Sequence, residues 1–486
     1  MLTGINSAVS ALIGLSKKSN VTANNVANVN TTGFKSGRLN LASGQVQGVS
    51  TASGSGQVGL GVGVGSISSN ISQGGIAPSE NPTELAISGN GYFLLRDPSS
   101  SEADTYSRDG NFSFDKQGFL TSPSGQVVQG WAVDPESGSR VGTIGDIQLG
   151  ATSPPQATTS VSQIVNLDSR TPAEDVNLAL YDSWDGRNVT AQPPKPAIDT
   201  GNFDYTSSIS IYDSQGAKRD VTILYDRTSN KNEYEFLVTT DPTSDQRTFD
   251  GGTTSIAATV DKGSGALMYG TIQFGTGGEI NSITAYNVPA DGEVNPSTPD
   301  NLMKLNPEDS TYSFPVNFTG DNQNHQIKLD FGAVYSGSGN TFTPSAQATT
   351  QYANSSTTIA QTQDGSASGF LKAVHTDTNG IISASYSNGQ VVKKGQVALA
   401  NFNNPDGLTS TGGNSFRATS ASGSPTTGAP GESGNGAIIP NGSELSNVDL
   451  GIELPSMMLT KRYFQANIKM IQIGDEMLGS LLDIKT

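Results

Sequence analysis

The C-terminal segment, residues 446–486, constrains the fold more than any other part of the chain. Apolar residues recur every seven positions in it, at Leu450, Met457, Phe464, Ile471 and Leu478. Three more apolar residues fall four positions after members of this row, at Leu454, Ile468 and Leu482. Such a 4-3 repeat predicts a helix with a narrow apolar stripe that packs on other helices. Proline removes a helical hydrogen bond, so Pro455 predicts that the regular helix begins near Leu454, after a looser lead-in.

The N-terminal segment has the same character. One row with sevenfold spacing contains Leu2, Val9, Ser16 and Ala23, and a second contains Ile5, Leu12, Ser19 and Val26. Six of these eight residues are apolar, which predicts an amphipathic helix over residues 3–28. The helix should end before the Thr31-Thr32-Gly33 turn. Both ends of the chain therefore carry stripes that need helical partners.

The interior of the chain has a different composition. The whole chain has 57 glycines, and its interior has many short alternating apolar runs, which together predict β-structure with tight turns. Residues 35–75 are interpreted as an extended, flexible connector, because their Gly-rich run 59–65 lacks the strand–helix context of a nucleotide-binding loop. We expect an inner β-domain from 76–149 and 355–445, and an outer β-domain with an inserted lobe from 150–354. The predicted fold class is thus multidomain and mainly β, with nested, hairpin-rich or barrel-like β-domains between terminal α-helices.

Composition and charge exclude several classes of function. The chain has no cysteine, so disulfides and thiolate metal sites are impossible. Its net charge of −17 and the absence of a basic patch argue against nucleic-acid binding. No apolar window is long enough for a membrane span, so we expect no membrane insertion. The N-terminus also lacks the features of a cleaved signal peptide.

No pattern in the sequence indicates an active site. The two histidines, His325 and His375, stand far apart, and metal-ligand spacing is absent. We expect no catalytic, cofactor-binding or metal-binding residues, no cofactor, and no enzymatic activity. The terminal stripes remain as the functional signal, and their spacing fits a hairpin within one chain, a two-chain coiled coil, or packing among many copies.

Several motifs narrow these alternatives. The segments 23–35 (ANNVANVNTTGFK), 81–93 (NPTELAISGNGYF), 106–114 (YSRDGNFSF), 446–450 (SNVDL) and 463–467 (YFQAN) resemble, in this order, the signatures of the flagellar rod and hook proteins. Segments 212–216, 365–369, 385–391 and 395–402 resemble the hook members of that family rather than the shorter rod members. The resemblance covers both ends of the chain and both β-regions.

The resemblance implies a structural subunit. The terminal domain, 1–34 with 446–486, would form a coiled-coil inner tube when many copies stack into a helical homopolymer. The self-assembly residues would be Leu2, Ile5, Val9, Leu12, Val26, Leu450, Leu454, Met457, Phe464, Ile468, Ile471, Leu478 and Leu482. The polymer would be a curved, flexible tube that transmits torque as a universal joint.

The family also implies particular partners and a location. The partners would be further copies of the chain, a distal rod protein, a hook cap protein, a hook–filament junction protein and the flagellar type III export apparatus. The location would be extracellular, in the hook or basal body, reached without a cleaved signal peptide. Two alternatives remain open: a distal rod-type axial protein, and a secreted β-rich enzyme or adhesin with coiled-coil ends.

Overall fold

The chain divides into two compact units. In this computed structural model, the structure describes residues 2–51, 54–100, 102–135, 137–172, 180–247, 260–288, 303–304, 306–307, 310–320, 324–337 and 341–483. Unit 1 contains residues 1–151 and 371–486, and unit 2 contains residues 152–370. The chain therefore leaves unit 1 once and returns to it.

Unit 1 begins and ends with its two long helices. Its elements before the excursion are α1 (Leu2–Ala27), β1 (Gly37–Ser43), β2 (Val46–Thr51), β3 (Gly54–Gly59), β4 (Val62–Ser69), β5 (Ile76–Pro78), β6 (Leu85–Ser88), β7 (Tyr92–Arg96), β8 (Thr105–Ser107), β9 (Ser113–Phe114), β10 (Leu120–Thr121), β11 (Val127–Val133) and β12 (Arg140–Asp146).

Unit 2 contains one short helix and mostly antiparallel strands. Its elements are β13 (Thr152–Ser153), β14 (Ser160–Asn166), α2 (Leu180–Ser183), β15 (Tyr205–Tyr212), β16 (Lys218–Arg227), β17 (Glu233–Thr239), β18 (Ala266–Phe274), β19 (Ile280–Asn287), β20 (Met303–Lys304), β21 (Tyr312–Val316), β22 (His325–Asp330), β23 (Ala333–Tyr335), β24 (Phe342–Pro344) and β25 (Thr357–Gln363).

The chain then returns to unit 1 along a strand that starts at the boundary. The remaining elements are β26 (Gly369–Thr376), β27 (Ile381–Tyr386), β28 (Val391–Val397), β29 (Leu399–Asn401), β30 (Thr409–Gly412), β31 (Ser415–Arg417), β32 (Thr426–Gly428), β33 (Ala437–Pro440), β34 (Gly442–Glu444) and α3 (Leu450–Asp483). The predicted fold class, mainly β between terminal helices, is confirmed.

The β-part of unit 1 is built around β7, whose two faces are both buried. Phe93 and Leu95 pack on one side of the sheet, and Tyr92 and Leu94 pack on the other. The period of two along a strand sends alternate side chains to opposite faces. Late strands pair with early ones throughout this unit: β31 joins β8 within the same sheet, and β33 with β6 and β34 with β5 form two separate two-stranded sheets.

Unit 2 is a two-sheet sandwich. One sheet has the order β15-β16-β17-β18-β19-β20 and the other β21-β22-β14-β25. A single apolar core joins both sheets, with Tyr225 and Phe236 from the first and Val165 and Phe314 from the second. A turn at Gln215-Gly216 joins β15 to β16, and Gly216 has the positive φ of 79° that favours glycine there.

Three features of the fold differ from the sequence-based expectation. Residues 355–370, assigned from sequence to the inner β-domain, fall in unit 2, because β25 pairs along its length with β14. The expected flexible connector contains two antiparallel ribbons, β1 with β4 and β2 with β3, and the first of these packs on α1. Helix α3 begins at Leu450 rather than near Leu454, since the Asp449 carboxylate caps it by accepting a hydrogen bond from Gly451 N at 2.7 Å.

Candidate self-assembly surface

The two terminal helices pack against each other in opposite directions. Near the start of α1, Ile5 Cγ1 lies 2.9 Å from the position that a Cβ on Gly474 would occupy. Near the end of α1, Asn25 Nδ2 donates to Glu453 Oε1 at 2.9 Å. The N-terminal end of α1 therefore packs against the C-terminal part of α3, and the two helices form an antiparallel hairpin.

The hairpin interface follows a 3-4 spacing on both helices. On α1 the facing residues are Ile5, Ala8, Leu12, Leu15, Ser19, Thr22 and Val26, and all are buried or half-buried. On α3 they are Glu453, Met457, Thr460, Phe464, Asn467, Ile471, Gly474 and Leu478, again all buried or half-buried. Every second member on α3 is polar or glycine. The apolar contact surface between the two helices is consequently narrower than the sequence repeat indicated, because polar residues and glycine occupy half of the facing positions on α3.

The predicted stripe is therefore divided between two surfaces. Seven of its residues face the hairpin partner: Ile5, Leu12, Val26, Met457, Phe464, Ile471 and Leu478. Four others are exposed, namely Val9 (42%), Leu450 (39%), Leu454 (47%) and Ile468 (38%). The side chains of Leu2 and Leu482 lie outside the described residues. The structure does not bring the exposed row to the hairpin interface, because α3 turns Thr460 and Asn467 toward α1 instead.

A second exposed apolar stripe on α3 was missed from the sequence. It contains Ile452, Leu459, Tyr463, Met470, Ile473 and Met477, each at least 41% exposed. These residues precede the facing positions by one residue, and they repeat with the same 4-3 spacing. The 4-3 spacing of these residues could have predicted the second stripe. The row through Met457 and Phe464 is more regular and was the one recognised.

The ribbon β1/β4 packs on the flank of α1. A Cβ on Gly14 would lie 2.9 Å from Leu41 Cδ2, so the ribbon approaches the helix closely at this glycine. Val62 N donates to Ser10 Oγ at 3.1 Å. Asn25 makes two backbone bonds at the ribbon base, donating to Gly37 O at 2.9 Å and accepting from Gly37 N at 2.8 Å. One buried amide thus joins α1, the ribbon and α3.

A buried charge cluster joins the terminal segments to the β-sheet. Glu444 is 2% exposed, and its Oε1 lies 2.5 Å from Lys35 Nζ. Its Oε2 lies 3.5 Å from Arg108 Nη1, and Gly74 N donates to Oε1 at 3.0 Å. Burial lowers the pKa of Lys35, and the hydrogen bond to Glu444 opposes that shift. These three residues were also missed, because they are far apart in sequence.

Asn447 completes this junction. Its Oδ1 accepts from Ser36 N at 2.8 Å, and its Nδ2 donates to Asn70 O at 2.7 Å and Ser72 O at 3.0 Å. Nearby, Asn111 Nδ2 donates to Thr32 Oγ1 at 2.9 Å. Three of the sequence motifs, 23–35, 106–114 and 446–450, therefore meet at one place.

The described residues contain no cluster of three or more His, Cys, Asp or Glu side chains that could hold a metal ion. His325 lies on β22 and His375 on β26, so the structure places them in different sheets. Within the described part of the chain, no helix is long and apolar enough to span a membrane.

Four family models match the chain in the order of its structural parts. They are the flagella basal body rod protein (residues 5–35), the flagellar hook protein FlgE/F/G D1 domain (86–164), the flagellar basal body protein FlaE D2 domain (183–366) and the flagellar basal body rod FlgEFG protein C-terminal region (441–484). The terminal hairpin and the two β-units are thus those of a flagellar axial protein.

Similar proteins identify the member of this class. The flagellar hook protein FlgE of Treponema pallidum is 31% identical over the whole of both chains, and that of Borreliella burgdorferi is 30% identical over the whole of both. The Salmonella typhimurium hook protein is 28% identical, covering 98% of this chain and 99% of its own. The chain belongs to the flagellar hook protein family. The hook prediction is confirmed, and the distal rod alternative is less supported.

Two solved structures are also similar to the chain. The Helicobacter pylori flagellar hook protein FlgE2 matches with a TM-score of 0.34 and 16% identity, covering 74% of this chain and 98% of its own. A 32 kDa fragment of the Caulobacter crescentus hook protein matches with a TM-score of 0.22 and 14% identity, covering 60% of this chain and all of its own.

Proposed function

We propose that this chain polymerises into the tube of the flagellar hook through its terminal helices. The observation that carries the proposal is the exposed apolar surface of the α1/α3 hairpin. Ile13 is 56% exposed on α1, and Ile452 and Met470 are 67% and 60% exposed on α3. Apolar stripes of this length on a monomer mark surfaces that other protein covers.

The energetics favour ordering on assembly. Fully burying one large apolar side chain contributes about 1.5–3 kcal/mol, whereas fixing the backbone of one residue costs about 1–2 kcal/mol. The hairpin alone buries few side chains completely, since Ala8 and Leu15 are the apolar residues less than 9% exposed in the described parts of α1 and α3. Neighbouring copies would supply the remaining burial.

The β-units suit a tube that bends. Exposed large apolar residues are scattered in unit 2, at Val334, Tyr352, Ile359 and Phe370. Polar surfaces slide past one another at lower cost than large apolar patches do. In this proposal the helices hold the inner wall while β-surfaces slide, and the curved tube transmits torque as a universal joint.

The proposal includes a location and partners. The hook would stand outside the cell, with the distal rod protein at its base and the hook cap or hook–filament junction protein at its tip. The chain would reach this place through the flagellar type III export apparatus, without a cleaved signal peptide. The family membership and the lack of cysteine support these assignments. A structural subunit of this kind needs neither a cofactor nor catalytic residues.

Electron microscopy of the chain at high concentration in a precipitating salt tests the proposal. We expect tubes from the wild type and none from Leu478→Asp, which places a charge in the hairpin interface. Lys469→Asp, on an exposed part of α3, is the matched control and should still polymerise. Failure of the wild type to form tubes, or normal tubes from Leu478→Asp, would contradict it. Straight, rigid tubes would favour the distal rod.

A further inference from the structure

Five Asn-Gly dipeptides lie in turns of the β-structure, and the hydrogen bonds distinguish one of them from the rest. The dipeptides begin at Asn90, Asn379, Asn388, Asn435 and Asn441. An asparagine side chain before glycine is open to attack by the glycine amide nitrogen, because glycine has no Cβ to shield that nitrogen. A hydrogen bond from the glycine N–H opposes the attack, since it holds both the proton and the backbone in place.

Two of the glycine amides are held by bonds within hairpin turns. Gly380 N donates to Asp377 O at 3.0 Å in the turn between β26 and β27. Gly389 N donates to Tyr386 O at 3.0 Å in the turn between β27 and β28. The turn bond must break before either amide can react, so both dipeptides are protected by the fold.

Two more glycine amides are bonded to parts of the chain that are distant in sequence. Gly442 N donates to Glu84 O at 3.3 Å. Gly436 N donates to Asn90 O at 2.6 Å. The second bond protects Asn435 from attack, and it also fixes the turn that contains Asn90 against the segment before β33.

The dipeptide Asn90-Gly91, in the turn between β6 and β7, lacks this protection. Gly91 is buried, yet its N–H makes no hydrogen bond to any described residue. The Asn90 side chain is exposed and has no hydrogen-bond partner among the described residues either. Glycines flank Asn90, with φ of 107° at Gly89 and 122° at Gly91, so no neighbouring Cβ obstructs the approach of the two groups.

We propose that Asn90 is a site of spontaneous deamidation in the folded protein. The Gly91 nitrogen attacks Asn90 Cγ and forms a new C–N bond, and the side-chain nitrogen leaves as ammonia with the proton of the Gly91 amide. Water then opens the cyclic imide at either carbonyl, which gives aspartate or isoaspartate. Water is the co-reactant and no electrons are transferred. The site lies in the β-part of unit 1, so the reaction does not require polymerisation.

Isoaspartate at position 90 would loosen this turn. The chain then runs through Cβ and Cγ, so it is longer by one methylene, and the carbonyl that accepts from Gly436 N becomes part of a free carboxylate. The turn has little room, because a Cβ on Gly89 would lie 3.2 Å from Gly436 Cα. Gly89 O also accepts from Arg108 Nη2 at 2.9 Å, so the change lies one residue from the buried charge cluster.

Peptide mapping by mass spectrometry of the full chain, incubated at mildly alkaline pH, tests the site. We expect Asn90 to convert first, with the mass gain of an amide that becomes an acid. The other four asparagines should remain intact over the same period. Chain incubated in denaturant is the control, and it should lose this preference because all five glycine amides are then free. Equal conversion at the five sites of the folded protein, or none at Asn90, would overturn the proposal.

Two substitutions separate the reaction from its effect on the fold. Asn90→Gln should stay intact, because its longer side chain disfavours ring closure. Asn90→Asp, freshly prepared, carries the charge of the product on a normal backbone, so it should unfold at the same denaturant concentration as fresh wild type. Aged wild type that contains isoaspartate should unfold at a lower concentration. Equal midpoints for the aged protein and Asn90→Asp would overturn the loosening of the turn.

Discussion

The Lys35 ammonium lies 2.5 Å from the Glu444 carboxylate, and this pair joins residues that are 409 positions apart in the chain. Arg108 Nη1 lies 3.5 Å from the other carboxylate oxygen, so two cations share one buried anion. Isolated buried charge is costly, and a shared carboxylate reduces that cost for both cations. The pair therefore determines how the terminal segments attach to the β-sheet.

Glu444→Gln should destabilise unit 1 by about 3–5 kcal/mol, because it leaves Lys35 and Arg108 buried without a countercharge. Chemical unfolding, followed by far-UV circular dichroism, measures the change. Glu432→Gln is the matched control, since Glu432 pairs with Arg140 at the surface and should cost less than about 1 kcal/mol. Equal effects of the two substitutions would contradict the role of the buried cluster.

Unit 2 should lose stability as the pH rises. Burial raises the pKa of Glu235 to about 7, against hydrogen bonds from Tyr269 Oη and Leu180 N that lower it. The folded state then binds the proton more tightly than the unfolded state, so the contribution is complete below about pH 4.5. As the pH rises from about 4.5 to about 7, the contribution of Glu235 to the free energy of unfolding falls by up to about 3 kcal/mol.

Trp184 fluorescence in a Trp131→Phe background reports this unfolding, since the chain has 2 tryptophans and Trp184 belongs to unit 2. Glu235→Gln should flatten the pH dependence between about pH 5 and 7. An unchanged slope in that variant would assign the effect to another group.

Asn25→Asp should weaken the attachment of the ribbon and α3 to α1 by roughly 2–3 kcal/mol. The carboxylate cannot donate to Gly37 O, and it stands beside Glu453, so a buried bond is lost and like charges meet. Limited proteolysis within residues 37–69 measures the loosening. Asn20→Asp, at an exposed position of α1, is the control and should leave the cleavage rate unchanged.

Gly474 should tolerate a side chain less well than Gly479. A Cβ at Gly474 meets Ile5 Cγ1 at 2.9 Å, while nothing described lies within 4 Å of a Cβ at Gly479. Replacing glycine by alanine within a helix normally gains about 1 kcal/mol, so Gly479→Ala should promote tube formation. Gly474→Ala should show little or none of that gain. The critical concentration for assembly, measured by sedimentation, distinguishes the two, and an equal gain would contradict close packing at Gly474.

The sequence predicted the helices well, because a sevenfold repeat has few alternative explanations. It predicted one row of the hairpin, through Leu12 and Phe464, but not the second row. Hydrophobicity cannot indicate that Thr460 and Asn467 face a partner helix, because that depends on how closely the backbones approach.

The ribbon and the junction could not be predicted for a different reason. Strands β1 and β4 contain Gly and Ser, and they pack on α1, a contact that their own sequence pattern does not indicate. Lys35, Arg108 and Glu444 are ordinary charged residues in the sequence. Only the folded chain brings them together.

The pairing of early with late strands sets the time at which the chain can fold. Strands β5, β6 and β8 lie within the first quarter of the sequence, and their partners β34, β33 and β31 lie within the last fifth. Contacts of such high sequence separation form late and slowly. Unit 1 can therefore complete its β-structure only when the last fifth of the chain is available to pair with the first quarter.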